Sequence, residues 1–159
     1  MFGKIKNDAV LKEFYYSPGY SDMRGGSHRE YLRKDEGGKW KIITEDRESF
    51  NKPTKVTVYA ADEEAVCLFE AFLKQKKTGS LANRPDSKLF VTDYSPWHYG
   101  IEFELADESL PSWKRRVDYS IGEYKRYSKK DYELIGEMRE RFRALRGEVL
   151  SETLVEEEQ

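Results

Sequence analysis

The residues with most to offer chemically lie between Trp113 and Lys130. Lys114, Arg115, Arg116, Lys125, Arg126, Lys129 and Lys130 stand there against Asp118 and Glu123, with Trp113, Tyr119, Tyr124 and Tyr127 interleaved. Cations meet phosphates or carboxylates, and aromatic rings stack on bases or widen a protein contact. The whole chain carries a net charge of −2, so no long-range field draws it to nucleic acid or to an anionic membrane. An acidic protein surface is therefore the expected partner of Trp113, Arg115, Tyr124, Lys125, Arg126, Tyr127, Lys129 and Lys130. Single-stranded nucleic acid is the alternative, and the bland reading is a strand with a solvated face followed by a basic turn.

Other constellations carry less. His28, His98 and Cys67 are the only nitrogen or sulfur ligands, and their separation matches no metal-binding spacing, so neither a metal nor a cofactor is expected. Cys67 falls opposite an apolar helix stripe with Lys74 as its same-face base, and a thiol without a perturbed pKa is a small side chain. Asp93 and His98 flank Pro96-Trp97, where a carboxylate could orient an imidazole for acid–base work. An enzyme built from separated acids, tyrosines and His98 is the reading that rivals a binding module. Gly25-Gly26 and Gly37-Gly38 lack the spacing of a phosphate-cradling loop.

These residues need elements to hold them. Trp97, Tyr99, Ile101, Phe103 and Leu105 alternate with polar or small residues, the pattern of a strand with one buried face, expected near the middle of a sheet. Earlier strands are expected over 11–16, 27–34, 39–44 and 54–59, and further ones over 88–92 and 113–121. Asp62 caps a helix with Ala65, Leu68, Phe69, Phe72 and Leu73 on its stripe, ending at Thr78-Gly79. Ser128 and Asp131 form a capping box for a helix over 129–146, stopped by Gly147. The order predicts an α+β fold, an antiparallel sheet covered on one face by two helices.

At 159 residues one domain suffices, and 14% aromatic content argues for a packed interior although 36% of residues are charged. Residues 1–147 are read as that domain and 148–159, with five acids and no base, as a mobile acidic tail. One cysteine precludes an internal disulfide, and Met1 to Asp8 lack the apolar run of a signal peptide. A reduced, cytoplasmic protein is expected, and nothing in the pattern fixes an oligomeric state.

Phe14-Tyr15-Tyr16-Ser17, Met23-Arg24-Gly25-Gly26, and Val91-Thr92-Asp93 ahead of Trp97 are followed by an aromatic-rich crossing into a last helix. In these features the chain resembles a group of small bacterial proteins, with Tyr94 where the group has glycine. The resemblance implies a single domain and carries no activity with it. A non-enzymatic module binding another protein is the function expected.

Overall fold

Period-two alternation produces one continuous sheet. The computed structural model describes residues 5–6, 8–19, 26–87 and 96–156. Within them the strands are β1 (Val10–Ser17), β2 (Ser27–Lys34), β3 (Trp40–Arg47), β4 (Thr54–Ala61), β5 (His98–Glu104), β6 (Arg116–Gly122) and β7 (Arg146–Val155). They hydrogen-bond in the order β6-β5-β1-β2-β3-β4-β7, every neighbouring pair antiparallel. The helices are α1 (Glu63–Gln75), the single turn α2 (Ser112–Arg115) and α3 (Lys129–Arg143). The fold is α+β, with α1 and α3 packed on the sheet, as the sequence predicts.

The core lies between that sheet and the two helices. Tyr99, Ile101 and Phe103 of β5 are buried, with Trp97 and Leu105 packed beside them, so all five alternating residues face the helices. β5 is second from one edge, however, and β2 is central. On α1 the buried residues are Val66, Phe69, Phe72 and Leu73, while Leu68 is 67% exposed. Phe69, Phe72 and Leu73 are buried as predicted and Ala65 packs against the core, but Val66 takes the buried place given to Leu68, because either extends the helical spacing of the other three. α1 ends at Gln75, where Lys77 takes the left-handed conformation (φ 55°) and the Thr78 hydroxyl donates to the Leu73 carbonyl. Thr78 and Gly79 then open a 3-10 helix, Thr78–Asn83.

Four further expectations are corrected or set aside. The strand expected over 113–121 begins at Arg116, and Trp113 and Arg115 belong to α2. α3 ends at Arg143, and Gly147 lies in a strand. A Cβ there would stand 2.7 Å from the Ala60 carbonyl oxygen, so glycine permits the close approach of β7 to β4. The acidic tail read from 148 onward is β7 as far as Val155, because Val149, Leu150, Thr153, Leu154 and Val155 suit a strand and Lys55 meets Glu152 at 3.6 Å. The strand expected over 88–92 falls outside the described residues.

The capping box at Ser128 and Asp131 forms as read, and Arg84 completes it with a two-pronged contact to Asp131, 2.9 Å on each side. The Arg84 guanidinium first, then the Ser128 donors, hold the Asp131 carboxyl down at about 2. Its contribution is present above the unfolded value of about 3.9 and is lost as pH falls towards 2. Asp131→Asn should therefore cost about 2 kcal/mol at pH 6. In urea titrations the gap between the two proteins should close by pH 2; a gap as wide there as at pH 6 would contradict the pairing.

Candidate functional site

α3 starts beyond the β6 edge and hands the chain to β7 at the opposite edge, so it crosses the sheet. Arg139 and Arg143 stand one turn apart on α3, and Arg146 follows at the first residue of β7. Beneath them runs a cross-strand row made by the pairings Tyr99 with Tyr16, Tyr16 with Glu30, and Glu30 with Thr44. The arginines meet this row in strand order. Arg139 lies beside Tyr99 and Tyr16, which favour its charge, Arg143 lies 6.0 Å from the Tyr16 ring centre, and Arg146 pairs with Glu30.

A cavity of about 300 Å³ opens at the tyrosine end, lined by Tyr16, Pro18, Trp97, Tyr99, Tyr132, Ile135, Gly136 and Arg139. Its walls are aromatic. Tyr16 and Tyr99 stack at 4.7 Å, and Trp97 stands edge-on to Tyr99 at 5.9 Å. Tyr127 braces Trp97 at 6.0 Å and Tyr132 at 5.6 Å, and its hydroxyl accepts the Gly122 N–H. Burial pushes that phenol up to about 12. Burial, and then Tyr16, push the Tyr99 phenol above its ordinary range against the pull of Arg139 and Arg143. Tyr99 and Tyr127 therefore keep their protons near neutral pH. Gly136 completes the cavity: a Cβ at this mid-helix position would meet nothing within 4 Å.

This arrangement offers a guanidinium and two phenols to an acceptor and flat apolar walls to whatever carries it. Arg139 is the one charged group among the lining residues. A carboxylate beside a ring or aliphatic group matches both features. The site supplies donors and no base.

At the other end of the row Glu30 is buried at 1% exposure. His28 Nε2 lies 2.9 Å from it, and His28 Nδ1 lies 3.2 Å from Asp46. The Glu30 contact raises the His28 pKa, against burial and with help from Asp46. Burial pushes the Glu30 carboxyl up, but His28 and Arg146 outweigh it and hold it below its ordinary value. The cluster is an ion-paired brace that ties β2 and β3 to the start of β7.

Of the residues singled out in the sequence, the structure gathers some and separates others. Trp113, 74% exposed, and Arg115, which donates to the Leu110 carbonyl, sit at one end of β6. Tyr124, Lys125, Arg126, Tyr127, Lys129 and Lys130 follow its other end, roughly 20 Å away along seven residues of strand. Lys125 and Arg126 are tied down by backbone bonds to Gly122 and Pro85. Tyr127 braces the pocket, and Lys129 stands one helical turn before Tyr132.

His28 and His98 project from opposite faces of the sheet, since His28 shares its face with buried Glu30 and Leu32 while His98 alternates with buried Tyr99. The two imidazoles therefore cannot share a metal. Cys67 is exposed on α1. Among the described residues no group of three His, Cys, Asp or Glu is placed to hold a metal ion, and no helix is long and apolar enough to cross a membrane. His98 Nε2 lies 2.6 Å from the Ser120 hydroxyl, and burial lowers its pKa. Asp93, the carboxylate expected to orient it, lies outside the described residues.

Sequence reasoning missed Tyr16, Tyr99, Glu30, Gly136, Arg139, Arg143 and Arg146. Two signals were present: a glycine inside a strongly periodic helix, and three arginines at helical spacing beside its apolar stripe. No family model matches the chain, and neither a curated protein nor a solved structure is found similar to it.

Proposed function

We propose that the protein is a non-enzymatic interaction module that seats a carboxylate-bearing segment of a partner protein beneath α3. The observation that carries this reading is Gly136. Glycine inside a helix costs about 1 kcal/mol relative to alanine, and no neighbour requires its absence of a side chain. What the glycine does keep is an open wall beside Arg139 in the cavity that the two tyrosines also line. Tyrosine and arginine also supply much of the energy at protein interfaces. Lys129, at the start of the same helix, adds positive charge towards an acidic partner, in keeping with the partner class expected from the sequence.

Matched probes test the chemistry. N-acetylphenylalanine carries a ring and a carboxylate, and its amide is the uncharged counterpart. The acid should shift the Trp97 and Tyr132 resonances in a titration followed by NMR, and the amide should bind at least tenfold more weakly. Gly136→Ala should raise stability by about 0.5–1 kcal/mol, which separates pocket filling from unfolding. Gly136→Leu should weaken the acid at least tenfold. Equal binding of acid and amide, or undiminished binding to Gly136→Leu, would refute the reading.

A further inference from the structure

The sheet face away from α1 and α3 is covered by no helix among the described residues, and its charges are sorted by strand. On β1, β5 and β6 it presents Glu13, Glu102, Glu104 and Asp118 against Lys12 and Arg116. On β2 and β3 it presents Arg29, Arg33, Lys41 and Arg47 against Glu45. The division falls between β1 and β2.

The register makes the sorting sharper. One row reads Asp118, Glu102, Glu13, then Arg33, Lys41, Ala60 across six consecutive strands. The next reads Ser120, Gly100, Tyr15, then Tyr31, Ile43, Val58. Each row is complementary to its own reversal. A twofold axis running along the strands between β1 and β2 reverses every row, laying β1 on β2, β5 on β3 and β6 on β4 of a second copy.

We propose that this open face docks a second copy of the chain, giving a dimer with two sheets inside and helices outside. Glu13 then meets Arg33 of the second copy, and Glu102 meets Lys41. Tyr15 packs on Tyr31, already side by side at 5.1 Å within one chain, and the shallow pocket lined by Tyr15, His98, Gly100 and Ser120 receives Ile43. Sheets stacked about 10 Å apart interdigitate side chains in this way. Six strands of about seven residues cover roughly 650 Å² per copy, close to the ~800 Å² per partner of a standard interface. Glu102 shows what the dimer relieves: burial, with Asp118 and Glu13 alongside, raises its carboxyl above the ordinary range despite Arg116. A cation from the second copy answers that crowding.

Sedimentation equilibrium of the full chain tests the proposal. At 50 µM in low salt the mass should be twice the 18.7 kDa of one chain. Lys41→Glu alone and Glu102→Lys alone should each weaken the dimer at least tenfold, with circular dichroism unchanged. Lys41→Glu combined with Glu102→Lys restores the pair with reversed polarity and should bring the dimer back. A monomeric wild type overturns the proposal, as does a dimer indifferent to either single change. Failure of the folded double variant to recover overturns it as well.

Discussion

Phe14→Ala should lower stability by about 3–5 kcal/mol, the range for removing a fully buried ring that the surroundings cannot replace. Phe14 has no exposed surface. Its ring meets Phe69 of α1 edge-on at 5.1 Å and Phe142 of α3 at 4.7 Å, with Tyr99 of β5 at 6.0 Å. One side chain on β1 therefore joins both helices to the sheet, and truncating it leaves a cavity bounded by three elements. Thermal melting should fall by roughly 6–20 °C for a chain of this length. Leu68→Ala is the control: with 67% of Leu68 exposed, its replacement should stay within about 0.5 kcal/mol. Comparable losses for the two would mean that α1 turns its other face inward.

That contrast shows where the sequence is legible. Alternation in β5 has one solution, because shifting it by one residue would bury Glu102 and expose Phe103. α1 has two, since Leu68 extends the run of Phe69, Phe72 and Leu73 at helical spacing as well as Val66 does. Only the neighbouring sheet decides between them. The acids near the C-terminus hide β7 for a related reason: composition there reads as a solvated tail, while the alternative needs β4 as a template, nearly a hundred residues earlier. The pocket was illegible because its parts are distant in sequence. Tyr16, Tyr99 and Arg139 are brought together by the crossing of α3, which depends on the strand order, and strand order leaves no mark on any one segment. Asp131 stood out through the capping spacing alone, and Arg84, the partner that sets its pKa, lies 47 residues away.

Arg146→Met should be the most damaging change of a charged residue, costing about 3 kcal/mol and roughly 6–12 °C in melting temperature. Methionine keeps much of the side-chain stem over the Tyr59 ring, where the Arg146 guanidinium lies at 5.2 Å, so the loss reports on charge more than on packing. Glu30 is left with 1% exposure and one remaining cationic partner, His28. A buried carboxylate that loses its arginine is costly because neither water nor another donor replaces it. The consequence is a changed pH dependence. The His28 pKa is raised in the folded protein, so its stabilising contribution is complete below the unfolded value near 6.5 and disappears as pH rises through the folded value. In the wild type Arg146 still neutralises Glu30 once His28 is neutral. In Arg146→Met nothing does, so the deficit should widen between pH 6 and pH 9. Adding Glu30→Gln should recover part of the loss at pH 9 by removing the stranded charge. Melting curves of the wild type, the single variant and the double variant across that range decide the matter, and a deficit that stays constant with pH would show that Glu30 does not depend on these two cations.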